Sequence, residues 1–270
     1  TFSNSFITTS LIEKLLAEKK SANELQRRKH EDWDGNYELY RNKVKTNRLT
    51  QRQAVNIPLM KETLKTLLSK IDDAVNIEWS ELGGDEEKEL IYQEVWNENY
   101  IQNKYELADI LDKKNVLLYG LSVKKLNIVD DGIDAYALDP YDVVFDPLME
   151  PSDIETARFI VHQNIFKTVR EILADERYGG EGKEKLKVWA ETVPGITQSS
   201  ENKKIWEEKM ERLRSMGVDH ADFPLYAGGD RIVNLTEHYT SIWDTDKKKF
   251  IRKVFVYAED VIPLMEKELD

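Results

Sequence analysis

Residues 116–147, VLLYGLSVKKLNIVDDGIDAYALDPYDVVFDP, decide how this chain reads. They predict a β-hairpin turned at Asp131-Gly132. Two Asp-Pro breaks follow, Asp139-Pro140 and Asp146-Pro147, on either side of the apolar run Val143-Val144-Phe145. Asp-Gly between apolar runs signals a tight hairpin, because such turns need positive φ at their centre. Each proline lacks an N–H and pushes the aspartate before it towards extended backbone, so strand pairing is interrupted twice. Asp131, Gly132, Asp139, Pro140, Asp146 and Pro147 therefore read as residues that set shape.

Helical patterns lie N-terminal to this stretch. Ser10 is placed to cap a helix with Leu11, Ile12, Leu15 and Leu16 on its apolar face. Trp33, Tyr37, Tyr40 and Val44 mark a second helix, and the basic run Arg27-Arg28-Lys29-His30 separates the two. Ile57, Met60, Leu64, Leu67, Leu68 and Ile71 form the stripe of a third, with Pro58 in its first turn. Val75 to Trp79 reads as a short extended piece before Gly83-Gly84. One long helix is expected from Asp85 to near Tyr119-Gly120, its acidic start complementing the helix dipole.

C-terminal to the hairpin, Arg158–Gln163 predicts a strand, and Thr168 with Glu171 a capping box opening a helix to about Gly179. Helices near Glu184–Val193 and Lys203–Met216 follow in a loop-rich region. Ile232–Trp243 and Phe250–Tyr257 predict a second hairpin, and Val261–Leu269 a short amphipathic piece. The expected class is α+β, with long helices in the N-terminal half, then antiparallel hairpins and short helices. The expected divisions are a helical arm over 1–56, a helical and hairpin core over 57–178, a loop-rich insertion over 179–229 and a second hairpin over 230–270.

Composition narrows the functional classes. The 270 residues include 40% hydrophobic and 33% charged, and there are no cysteines, which removes disulfides and thiolate metal sites. A net charge of −12 argues against a general nucleic-acid binder. The first 56 residues oppose that trend with 11 Lys+Arg against 7 Asp+Glu. Arg27, Arg28, Lys29, Arg48 and Arg52 are there the candidates for subunit, capsid or DNA contacts, beside the plain reading of a solvated helix face. No apolar run is long enough to span a bilayer. The chain opens on Thr1 and is expected to be a fragment of a longer one.

No motif carries chemistry. The aspartates around 130–146 lack the spacing and distal glutamate of a calcium loop. His30, His162, His220 and His238 sit in no catalytic motif. His162 reads as a core or interface histidine and His238 as one on a solvated strand face. Gly179-Gly180-Glu181-Gly182-Lys183 departs from phosphate-loop spacing and reads as a flexible surface loop. No catalytic, cofactor or metal residue is assigned, and the chain is not expected to be an enzyme.

In order, several segments resemble the N-terminal half of portal proteins from short-tailed bacteriophages. They begin with Asn47-Arg48-Leu49 and Asn56-Ile57-Pro58-Leu59, continue through Leu64–Leu68, Val75–Trp79 and Leu107–Leu111, and reach Tyr119-Gly120 and Val123–Leu126. Leu138–Pro147, Ala157–Val161 and Val169–Leu173 complete the series. The resemblance covers 47–177; residues before Asn47 and the region 179–229 do not match, and the family's long stem helices, clip and crown are not evident. It implies a homo-oligomeric, dodecameric ring at one capsid vertex and a channel for double-stranded DNA. It further implies a platform for the terminase large subunit and head-tail adaptor proteins, beside the major capsid protein. These residues would form the outer wing, with no membrane partner and no cofactor, assembled in the host cytoplasm and carried in the virion. Two other readings stand beside it: a non-viral α+β scaffold or protein-interaction module, and a nucleic-acid-processing enzyme using Asp139 and Asp146.

Overall fold

Alternating strands from Val143 onward build the larger of two antiparallel sheets in an α+β fold. The computed structural model describes residues 9–42, 59–71, 86–102, 105–129, 132–150, 153–192, 200–217, 231–244 and 247–269. The chain divides into two compact units, Lys29–Pro140 on one side and Thr1–Arg28 with Tyr141–Asp270 on the other.

The second of these contains a five-stranded meander, β3 (Val143–Phe145), β4 (Phe159–Thr168), β5 (Ile232–Asp244), β6 (Lys249–Ala258) and β7 (Ile262–Leu269), in that order. The expected amphipathic piece at 261–269 is thus a fifth strand. Its alternating side chains and β6 neighbour give it a sheet edge to join. Between the pairs His162–Glu237 and Ile165–Leu235 a bulge sets two residues of β4, Gln163 and Asn164, against Thr236 of β5, with Asn164 at φ 58°. The extra residue turns Ile165 to the same face as Leu235.

On that face Val233, Leu235, Val254, Val256 and Ala258 pack against Val169, Ile172 and Leu186. These come from α5 (Val169–Ala174) and α6 (Gly180–Thr192). Thr168 caps α5 as predicted: its Oγ1 accepts from Glu171 N at 3.2 Å, and Glu171 Oε2 accepts from Thr168 N at 2.6 Å. The opposite face carries a row of directly paired residues, Val144, Val161, His238 and Phe255, no more than 1% exposed. Ala22 packs on this row. It belongs to α1 (Thr9–Tyr40), one continuous helix where the sequence suggested two. The polar run between the two expected stripes contains neither proline nor strong breaker, and its residues are good helix formers.

In the other unit, the single long helix expected from 85 to 119 is two, α3 (Glu86–Gln102) and α4 (Tyr105–Tyr119). The Trp96 and Tyr105 rings lie 6.0 Å apart, as do those of Tyr100 and Tyr105. In one unbroken helix, nine residues would separate Trp96 from Tyr105 by about 13 Å along the axis. The stripe of α2 (Leu59–Ile71) rests on α4, with Leu64 buried. α4 in turn meets the two-stranded sheet of β1 (Val123–Val129) and β2 (Gly132–Leu138), Asn115 donating to Leu138 O at 3.1 Å. Gly132 pairs with Val129, so it belongs to the strand and not to the turn centre. Asp131 lies outside the described residues, as do Asp85, Arg48, Arg52 and the expected extended piece at 75–79.

The glycine run at 179–183 is also not the expected surface loop. It opens α6, and Gly179 N donates to Leu264 O at 2.9 Å. A Cβ on Gly182 would meet Pro263 O at 2.5 Å and Leu264 Cα at 3.0 Å, so glycine lets the helix sit directly on β7. Gly182→Ala should cost about 1–3 kcal/mol of unfolding free energy in denaturant titrations. Gly180→Ala, with nothing within 4 Å of the added carbon, should be neutral or slightly stabilising.

Candidate functional site

The Asp-Pro segment is a tightly satisfied turn. Pro140–Asp142 forms a short 3₁₀ helix, and Asp139, Asp142 and Asp146 are all buried. The Asp146 side chain is 0% exposed. It accepts from Leu148 N at 3.0 Å and Arg158 N at 3.1 Å. Its two oxygens also grip the Arg158 guanidinium, at 2.6 Å from Nε and 2.7 Å from Nη2. Those Arg158 bonds, against the opposing effect of burial, hold its carboxyl at about 2. The lone pairs are engaged by protein donors that fix where β4 begins, an arrangement suited to shape and leaving little for a substrate. Asp142 is 2.9 Å from Asn164 Nδ2 and 2.5 Å from Lys209 Nζ.

Lys209 lies on α7 (Ser200–Ser215), and a polar chain continues from there. Lys209 donates to Asn164 O, Asn234 Nδ2 reaches Asn164 Oδ1, and Asn202 Nδ2 reaches Glu259 at 3.2 Å. Arg212 lies 4.3 Å from the centre of the Tyr141 ring. These bonds fasten α7 to the bulge and to the β6–β7 turn. Local sequence carries no signal for them, because the partners are distant along the chain.

His238 is the clearest departure from the sequence reading. It is 0% exposed, not solvated, because α1 covers its face of the sheet. Its Nε2 lies 3.3 Å from Glu18 Oε2 and its ring 5.6 Å from that of Phe159. Nearby, Lys19 donates to Thr236 Oγ1 at 3.2 Å and Asp260 Oδ1 at 2.7 Å. Burial pushes the His238 pKa down, with Glu18 pulling the other way and Lys19 adding to the fall. His162 is half-buried on the other face, 3.6 Å from Glu237 Oε2.

Of the candidate contact residues, Arg27, Arg28 and Lys29 are exposed on α1 and make no ion pair among the described residues. Trp33 packs instead of standing free, its ring 5.8 Å from Tyr119 and 5.1 Å from His30. Among the described residues no group of three or more His, Asp or Glu could hold a metal ion, and no helix is long and apolar enough to cross a membrane. One exposed feature was missed. Trp243 and Phe250 are cross-strand partners at the β5–β6 tip, 52% and 67% exposed, with ring centres 5.2 Å apart. Equal counting from the centre of the expected hairpin would have paired them.

Two pH dependences follow. The folded pKa of Asp146 lies below the unfolded value near 3.9, so its contribution is complete above that value and lost as pH falls towards about 2. Arg158 is 61% exposed, so solvent screening limits the contribution to about 1–2 kcal/mol. Asp146→Asn should remove that much at pH 7 in urea unfolding and much less near pH 2. The lowered pKa of His238 has the opposite charge consequence: its neutral form suits the fold, and stability falls as pH drops below the unfolded value near 6.5. The stability of the native chain relative to His238→Gln should therefore shrink between pH 7.5 and 5.5. No family model matches this chain, and no curated protein matches it significantly.

Proposed function

We propose that this chain is the wing portion of a phage portal: a ring-forming subunit at one capsid vertex, through which double-stranded DNA is packaged and ejected. One observation supports it beyond the ordered sequence resemblance. α3 has no buried residue, and Leu90, Ile91, Val95 and Ile101 are each half or more exposed. Leu59, Leu126 and Tyr136 in the same unit are also exposed. Apolar side chains left in water on this scale mark surfaces that another chain completes. In the ring reading that chain is a second copy, and the major capsid protein, terminase large subunit and adaptor proteins dock on the assembled ring.

The net charge of −12 suits such a channel, since a wall that neutralised many phosphates would bind DNA instead of letting it slide. The same exposed surface would serve a scaffold or interaction module of another kind, and oligomeric state separates the two. Mass photometry and negative-stain imaging of the intact protein should show closed rings of about a dozen copies. A stable monomer across micromolar concentrations, with no rings in any buffer, would overturn the proposal.

A further inference from the structure

Two exposed surfaces of this chain complement each other in charge and in apolar character. β5 and β6 run on as a two-stranded ribbon past the end of β4, whose pairing with β5 stops at Phe159 and Thr240. Ile251, on the other face of this ribbon, is 5% exposed, whereas Trp243 and Phe250 project into solvent as an edge-to-face pair. Around them the ribbon, residues 241–252, carries four Lys+Arg against two Asp, with Asp244 directly opposite Lys249. Lys247 is held by Glu268 at 2.9 Å and Lys253 by Glu266 at 2.6 Å. Lys248 and Lys249 have no ion pair among the described residues, and Arg252 meets Glu155 only at 4.0 Å.

The second surface is α3. Its inner side turns Trp96 and Tyr100 onto Tyr105. Helical spacing puts Leu90, Ile91, Val95 and Ile101 on the outer side, together with Glu87, Glu94 and Glu98. The helix carries five glutamates against one lysine.

We infer that copies of this chain join head to tail, the Trp243–Phe250 ribbon tip of one copy seating on the outer face of α3 of the next. The inference rests on the ring reading and names the contact that reading needs. Neither surface suits itself: α3 on α3 sets glutamates against glutamates, and tip on tip sets lysines against lysines. Each suits the other, with exposed aromatics meeting exposed aliphatics inside a rim of opposite charges. A contact between unlike patches is heterologous, and such contacts build rings when they close and filaments when they do not. A DNA duplex would satisfy the lysines but leave both aromatic rings without partners, since stacking needs unpaired bases.

The absence of cysteine gives a clean test. Val95→Cys and Phe250→Cys chains, mixed and mildly oxidised, should form a disulfide between the two variants far faster than either alone. Sedimentation velocity should show Lys248→Glu/Lys249→Glu and Glu94→Lys/Glu98→Lys each weakening self-association tenfold or more, and the quadruple swap recovering most of it. All four sites are exposed, and near-UV circular dichroism should stay unchanged. If both reversals leave rings intact and no mixed disulfide forms, this contact is wrong while the ring reading stands. A wild-type chain that never self-associates removes both. If the lysine reversal weakens duplex binding and leaves association unchanged, the tip serves nucleic acid and the inference falls.

Discussion

The sheet unit depends on one contact, α1 lying across the row Val144, Val161, His238 and Phe255. A sheet covered on one face exposes the other, and here that row would stand in water without the helix. Ala22 is the residue that permits the approach, since a small side chain lets the helix backbone come close. Around it the helix uses polar anchors at helical spacing. Lys19 reaches Thr236, Asn23 and Gln163 bond each other, and Gln26 donates to Val143 O at 3.0 Å. The seam joins an early helix to strands near the other end of the chain, with Lys19 and Asp260 separated by 241 positions. Bringing such distant segments together carries a loop-closure entropy cost that the contacts must offset.

That long-range seam explains which features could be read in advance. Local signals carried through wherever one residue type dictates one backbone state. The capping box at Thr168 and Glu171 formed, and so did the short strand Val143–Phe145 between its Asp-Pro breaks. Errors fell where the answer lay elsewhere in the chain. His238 looked solvated because it alternates with Tyr239 along a hairpin strand, which does not say what covers its face. Its cover is α1. Gly182 looked like loop because glycine usually marks one, whereas the close approach of β7 requires it there.

Helix boundaries failed for a related reason. Propensity does not distinguish one helix from two when both halves favour helix, so the merging of the first two patterns into α1 and the splitting of α3 from α4 are tertiary decisions. At Tyr105 the decision is visible in the aromatic contacts with Trp96 and Tyr100, which one unbroken helix could not make. Of the candidate site residues, Asp146 was legible as a turn former because Asp-Pro constrains backbone locally. Its bidentate hold on Arg158 was not, since the partner lies a turn and a strand start away.

The two units differ in how far a single copy satisfies them. In the sheet unit both faces are covered, α5 and α6 on one side and α1 on the other, and the residues of the central row are almost wholly buried. In Lys29–Pro140 a two-stranded sheet packs with α2, α3, α4 and the end of α1, and among the described residues few side chains are buried and none on α3. Isolated two-stranded sheets are marginal, and so are helices that bury little. The free energy that holds the first unit together is therefore internal. On the ring reading, part of what orders the second arrives with its neighbours, so folding of that unit and assembly are linked by mass action. On that reading the exposed apolar residues on α3 would be a working feature of a subunit, where in a solitary protein they would be an aggregation hazard.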